Sequence, residues 1–319
     1  MPTPDSYEFR KEHSESPEEL PVEEPNPTPP YTGWILVPLL VATLVGVAVW
    51  IPHETEPDEG RRWAALQAYL RPGTPAWIRR ETGQKVITDQ TLKLLAGHYE
   101  IESLDLSDSQ ITDDGLEALV GLTRLNWMSL RNTTITDAGL VHLARLPRLK
   151  GLDLEHTRVS CHELPEFPGL HSLNLTGSMV DDRGLERLGQ ITSLTDIWLQ
   201  QTAITDDGLA HLAPLKNLFV LSLTGTLISS RGIAQMGLQS RLGVLFLNWT
   251  LVDDDALMTL SSYPHLMQLS LEGTRVSDRG VVQLVRLPQL VSLSVQYAPV
   301  TAHGTRILKE AHPNAMIIR

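Results

Sequence analysis

Ile204-Thr205-Asp206-Asp207-Gly208-Leu209-Ala210-His211-Leu212-Ala213-Pro214-Leu215-Lys216-Asn217-Leu218-Phe219-Val220-Leu221-Ser222-Leu223-Thr224-Gly225-Thr226 carries two hydrophobic periods in one short stretch. Leu209, Leu212 and Leu215 fall three apart and line one face of a short helix. Leu221 and Leu223 fall two apart and line one face of a strand. Helix and strand therefore point their leucines into one shared core. Thr205 stands just before the helical run, where its hydroxyl is placed to accept a hydrogen bond from an orphan first-turn N–H. Asp206 and Asp207 suit the positive end of the helix.

The same unit recurs along the chain. Its first apolar anchor appears as Ile87, Ile111, Ile135, Val159, Val180, Ile204, Ile228, Val252, Val276 and Val300. These positions are evenly spaced, except that Val180 follows Val159 three places early. Self-similarity at such a period predicts a solenoid, because each unit is too small to bury its apolar face alone and must stack on its neighbours. The helix start also recurs, as Thr112-Asp113-Asp114, Thr136-Asp137 and Ser277-Asp278. Glycine returns at one first-turn position, as Gly115, Gly139, Gly184, Gly208, Gly232, Gly280 and Gly304. Glycine weakens a helix there, so the recurrence points to a close backbone approach.

The pattern L-x-x-L-x-L-x-x-T followed by I-T-D-x-G-L-x-x-L-x-x-L resembles the leucine-rich repeat, in the subtype shared by many bacterial proteins and by F-box-type leucine-rich-repeat proteins. The resemblance covers residues 84–319. It implies an α/β horseshoe, a leucine-rich-repeat solenoid with a parallel concave sheet and convex helices. It also implies that Ser109, Thr133, Thr157, Ser178, Thr202, Thr226, Thr250 and Thr274 bond the backbone of the adjacent coil, with Ala298 departing from the ladder near the end. Met316, Ile317 and Ile318 are expected to add a last strand that closes the stack.

Composition changes abruptly ahead of the repeats. Residues 1–33 hold eight prolines, and eight carboxylates against Arg10 and Lys11, so this tail is expected to be disordered. Its Pro27–Pro30 stretch is a weak signal for recruiting a second protein. Trp34 to Ile51 then runs without a single charged side chain. At a helical rise of about 1.5 Å per residue this stretch is roughly 27 Å long, close to the hydrocarbon thickness of a bilayer. With Trp34 and Trp50 at its ends, the segment 34–52 reads as a single-pass transmembrane helix. A cleaved signal peptide is the rival reading, although the preceding tail is long and acidic rather than short and basic. Orientation stays open. Arg61 and Arg62 after the span favour a cytoplasmic repeat domain, whereas a short tail before a large C-terminal domain is the usual layout of the opposite topology. Residues 53–83 form a linker in which Trp63, Leu66 and Leu70 share one helical stripe. That stripe suits either a cap over the first coil or a helix lying on the membrane surface.

Net charge is −12, and the tail 1–33 contributes −6 of it (two basic minus eight acidic). The remaining acids recur at helix starts, and the balance argues against nucleic acid, which needs clustered Lys and Arg. The lone Cys161 excludes an internal disulfide framework. Side chains alternate along each strand, so those flanking the buried leucines face the concavity. Among them Trp127, Trp198 and Phe246 are large aromatics, Asp153, Glu155 and Asp196 lie between the tryptophans, and Arg131, Trp249 and Glu272 complete the candidate face. This acidic and aromatic patch is predicted to bind a protein or peptide that carries Lys or Arg. The competing reading is that the aromatics merely pack against side chains of adjacent strands.

The short unit Val159-Ser160-Cys161-His162-Glu163-Leu164-Pro165-Glu166-Phe167-Pro168-Gly169-Leu170 has prolines where the helix should run, which predicts an extended or single-turn segment there. Cys161, His162 and Glu163 lack the second cluster that a metal site needs and the third group that orients a thiol–imidazole pair. No metal or cofactor is expected. Acid–base pairs and glycine-rich phosphate loops do not stand out, so the expectation is a binding module rather than an enzyme. A ubiquitin-ligase substrate adaptor is the alternative implied by the repeat subtype. It would require an F-box ahead of the repeats, where residues 57–83 are too short.

Overall fold

A computed structural model of the chain describes residues 87–319. The tail 1–33, the apolar span 34–52 and the linker 53–83 lie outside the described residues. No helix among the described residues is long and apolar enough to cross a membrane.

The ten strands are β1 Ser103–Asp105, β2 Trp127–Ser129, β3 Gly151–Asp153, β4 Ser172–Asn174, β5 Asp196–Trp198, β6 Val220–Ser222, β7 Val244–Phe246, β8 Gln268–Ser270, β9 Ser292–Ser294 and β10 Met316–Ile318. They form one parallel sheet in sequence order, and β10 closes it as expected. From β1 to β9 each strand buries its central residue, from Leu104 and Met128 through Leu221 to Leu293, against the leucines of the convex segments. Those segments are short. Asp137–Leu143, Asp182–Leu188, Ser230–Met236 and Asp254–Leu260 are α-helices of two turns. Asp114–Leu119 is a 3-10 helix throughout, and Asp206–Leu209 continues as the 3-10 turn Ala210–Leu212. A 3-10 helix repeats every third residue, which suits apolar side chains spaced three apart.

The short coil between Val159 and Val180 leaves the sheet undisturbed. Gly151, Leu152 and Asp153 pair with Ser172, Leu173 and Asn174 in the same register that full-length coils use elsewhere. The shortening falls on the convex side, where residues 162–169 run as turns and irregular chain without a helix, as the prolines predict. Asp137 holds the start of that segment, accepting hydrogen bonds from the Ser160 hydroxyl and from the N–H groups of Ser160, Cys161 and His162.

Coils are joined by a repeated carboxylate contact. Asp182 accepts the backbone N–H of Thr205 at 2.7 Å and its hydroxyl at 2.6 Å. Asp89 does the same for Thr112, Asp113 for Thr136, Asp206 for Ser229, Asp254 for Ser277 and Asp278 for Thr301. At six of the seven recurrent glycines this carboxylate occupies the space of the missing side chain, and at Gly184 the Ser160 carbonyl does, 2.3 Å from where a Cβ would lie. A Cβ on Gly139 would lie 2.5 Å from Asp113 Oδ1, and Gly115, Gly208, Gly232, Gly280 and Gly304 meet the preceding coil's aspartate still more closely. Two junctions reverse the donor and acceptor. Where Ser230 replaces the aspartate, the next coil begins with Asp253, whose N–H donates to the Ser230 hydroxyl and whose carboxylate accepts from it. That next coil carries Ala256 in place of glycine, because no carboxylate fills the space. Where Cys161 replaces the aspartate, the next coil begins with Asp181, which meets His162 Nε2 at 2.7 Å. Every junction between the ten described coils therefore holds one carboxylate, on one side or the other.

The threonine ladder implied by the resemblance needs correction. Thr133, Thr157, Thr202, Thr226, Thr250 and Thr274 donate to the carbonyl three residues back in their own coil, at 2.5–2.7 Å, as Ser109 does to Leu106. A hydroxyl on so short a side chain reaches the end of its own strand more readily than the neighbouring coil. The ladder closes turns, and the aspartates tie coils together. Thr205 also departs from its predicted role: its hydroxyl donates to Asp182 rather than capping its own helix, whereas Thr136, Ser229, Ser277 and Thr301 do cap.

Gly232→Ala is expected to force a methyl against Asp206 and to cost about 1–3 kcal/mol. Adding Asp206→Ser and Ser229→Asp copies the Ser230, Asp253 and Ala256 arrangement and should restore most of that loss. Urea unfolding midpoints of the single and triple variants test this. Equal destabilisation of both would contradict the role given to the carboxylate.

Candidate concave binding face

Three rows of side chains run across the sheet, one from each outward strand position and one just beyond the strand ends. In the first row Trp127 lies over Gly151, where a Cβ would be 2.7 Å from the indole Cδ1, and is 36% exposed. Asp196 stands in the same row on β5, bonded by the Thr195 hydroxyl at 2.6 Å. The second row holds Asp153, Trp198 and Phe246. Ser222 pairs in register with Trp198 on one side and Phe246 on the other and is fully buried, while both aromatics are half-buried. The packing reading therefore accounts for part of these two rings, and Trp127 is the more open surface. Trp127 and Trp198 stand three strands apart, about 14 Å at a parallel-strand spacing, in different rows.

A polar network links the N-terminal half of the face. The Ser129 hydroxyl donates to Asp153 at 3.0 Å and lies 2.8 Å from the Ser107 hydroxyl, which lies 2.6 Å from Asp105. Asp153 also accepts the Glu155 N–H. Arg131 pairs with Glu155 at 3.6 Å, which the Asn174 amide and His156 also approach. Arg131, Asp153 and Glu155 are thus one connected group. Burial pushes the carboxyl of Asp153 above the ordinary range, against the pull of the Glu155 N–H and the Ser129 hydroxyl. Burial likewise raises Asp196, despite its bond from Thr195 and the nearby His171.

At the other end Glu272 accepts the Ser294 hydroxyl at 2.7 Å and donates its N–H to Asn248. Trp249, 57% exposed, lies over Gly273 and stacks on Tyr297 with centroids 5.7 Å apart and planes at 29°. Both residues hold left-handed backbone, φ 55° and 59°, an uncommon region for bulky side chains. The Trp249 N–H is fixed by the Glu272 carbonyl at 2.7 Å. Phe219, exposed over Gly243 just before β6, is a further open aromatic that strand alternation does not pick out. Its signal in the sequence is a glycine one coil later, the same pairing that Trp127 makes with Gly151.

The short coil is not a catalytic thiol site. Cys161 is fully buried, and burial first and the Asp137 charge second push its thiol far up. His162 is engaged with Asp181. Among the described residues no group of three or more His, Cys, Asp or Glu is placed to hold a metal ion.

The family model of the leucine-rich repeat matches residues 100–159. No curated protein matches the chain. The fold is similar to that of an internalin of Listeria monocytogenes, with TM-score 0.55 and 20% identity over 71% of this chain and 63% of that one. A second Listeria internalin aligns with TM-score 0.51 and 22% identity, over 74% of this chain and 92% of that one. A leucine-rich-repeat protein of Leptospira interrogans aligns with TM-score 0.51 and 15% identity, over 72% of this chain and 62% of that one. Likeness at these identities is a likeness of fold. The chain spans 63% of the length of the first internalin.

Raised carboxyl pKa values mean that the fold favours the protonated forms of Asp153 and Asp196. Their contribution to stability is fully present below the unfolded value, about pH 4, and is lost as pH rises through the folded one. Asp153→Asn removes that loss. Its unfolding midpoint relative to the parent should therefore rise between about pH 3.5 and pH 7, and a pH-independent difference would refute the burial assignment.

Proposed function

We propose that this leucine-rich-repeat chain is a protein-binding module, tethered to a membrane through residues 34–52, that takes a protein or peptide bearing Lys or Arg on its concave face. The observation that carries this reading is the run of acidic side chains across β1 to β5, with Trp127 among them. Asp105, Asp153, Glu155 and Asp196 face the concavity, and Arg131, the cation among them, is already paired with Glu155. A cationic side chain arriving there would favour the charged forms of Asp153 and Asp196, against the burial that raises them. The indole of Trp127 offers the apolar and cation–π surface that anchors such a side chain. At the far end Trp249 and Tyr297, with Glu272 beside them, offer a second anchor of the same chemistry. Phe246 and Trp198 form the half-buried floor between the two.

Fold and charge together favour recognition over chemistry, since leucine-rich-repeat proteins generally act as scaffolds that bind other proteins. The membrane span rests on the uncharged length of Trp34 to Ile51 and its terminal tryptophans. Protease protection of a tag placed after Arg319, in intact against lysed cells, decides which compartment the concave face meets. Digestion in intact cells directs the search to partners outside the cell, and protection until lysis directs it to cytoplasmic ones.

Two variants of the full chain test the face itself. Trp127→Ala and Glu155→Gln should each reduce binding of Lys- and Arg-rich peptides from an arrayed set by tenfold or more, in protein that circular dichroism melts show to be folded. Binding should also weaken as the solution is acidified from neutral pH into the carboxylate range. Retained binding in both folded variants would sink the concave-face reading.

A further inference from the structure

We infer a second docking surface, on the rim where each strand turns toward its convex segment, that takes an amphipathic helix of a partner protein with carboxylates at both ends of its apolar stripe. It goes beyond the concave-face reading and does not depend on it. Successive coils place Arg158, Met179, Ala203, Leu227, Leu251 and Arg275 at one equivalent position, immediately before the buried Val or Ile anchor. All six are exposed, with Met179 at 60%, Leu227 at 59% and Leu251 at 42%. Scattered exposed apolar side chains are ordinary, but an unbroken apolar run across four coils bounded by charge marks an interaction surface.

Five of the six positions are tied by backbone to the coil before. The N–H groups of Arg158, Met179, Ala203, Leu251 and Arg275 each donate to the anchor carbonyl of the preceding coil, at 2.8–3.2 Å. Leu251 is also registered by a parallel bridge to Ser229. Side chains on this ladder therefore advance by about one strand spacing per coil, so the five steps from Arg158 to Arg275 cover about 24 Å. An α-helix that presents one residue per turn on a single face advances about 27 Å over the same five steps. Four apolar side chains on such a helix meet four coils nearly in register, which is the helix-on-surface mode of peptide recognition.

Charge fixes the ends. The chain carries a net −12, and Arg131 and Arg231 are already engaged with Glu155 and Asp207. The guanidiniums of Arg158 and Arg275 have no ion-pair partner among the described residues. Thr134 and Pro299, one coil farther out in each direction, end the row without another apolar aliphatic side chain. A partner helix with Glu one turn beyond its apolar residues at each end would satisfy both arginines, and a charge-assisted contact to Arg adds geometric specificity.

The test uses the full-length chain and a synthetic helical peptide of about 18 residues, with Leu at four successive turns and Glu one turn beyond at each end. Fluorescence anisotropy should show saturable binding, weakened at least tenfold by Leu227→Asp with Leu251→Asp. Exchanging the terminal Glu for Lys should abolish binding to the parent. Arg158→Glu with Arg275→Glu should restore it for the Lys-ended peptide alone. Trp127→Ala should leave all of this unchanged, which separates the rim from the concave face. Circular dichroism melts verify that the exposed-site variants fold. No binding, or equal binding of Glu-ended and Lys-ended peptides, overturns the proposal. So does dimerisation, or adsorption to anionic vesicles, that Leu227→Asp with Leu251→Asp abolishes, because the stripe would then belong to a second copy or to a lipid surface.

Discussion

The stack depends on one contact, an aspartate at the start of one coil's convex segment that receives the N–H and hydroxyl of the next coil's first Thr or Ser. Helix starts leave N–H groups without intrahelical partners, and a solenoid repeats that deficit in every coil. One carboxylate per junction meets it with charge-assisted bonds and at the same time sets the distance between coils. Everything on the concave side inherits that spacing. Trp127 over Gly151 and Trp249 over Gly273 are side chains leaning onto the following coil at the separation the junctions impose.

The exceptions show that the constraint acts on the junction rather than on either residue. Ser230 and Cys161 lack a carboxylate, and in both cases the following coil supplies one, as Asp253 and Asp181. Ala256 is tolerated only where the space beside it is empty of carboxylate. The imidazole of His162 makes its junction chemically distinct from the others, and it sits at the coil whose convex side is irregular. Asp137, in the coil before it, is pushed up by burial, yet the Ser160 hydroxyl and the N–H groups of Cys161, Ser160 and Glu163 outweigh that and hold it below the ordinary carboxylate range. The strongest side-chain anchoring of backbone thus falls where helical hydrogen bonds are missing.

Periodicity makes the architecture legible before any coordinates: the two-place and three-place spacings at Leu209 to Leu223 specify strand and turn, and the even recurrence of the anchors specifies stacking. The recurrent glycines are readable as close approach, but not what approaches. The partner of Gly232 is Asp206 in the preceding coil, and only stacking brings them together. For the Thr133 and Thr202 hydroxyls the resemblance points to the wrong carbonyl, because spacing shows that a ladder exists and not the direction in which a short side chain bonds. On the concave face, alternation identifies the outward positions. It does not show how open Trp198 and Phe246 are, since that is set by the small neighbour Ser222 between them. The Arg131–Glu155 pair is not readable from alternation, and the rim row is invisible to it because its residues fall outside the strands that define the face.

The junction also has a direction. Most coils offer an acceptor forward, to a coil that lies later in the chain, and the last one has Ala302 where the acceptor would stand. Translation delivers coils in that same order. A coil emerging from the ribosome finds its predecessor already displaying the carboxylate that its own first turn needs, so the carboxylate can template the next start before the following coil exists.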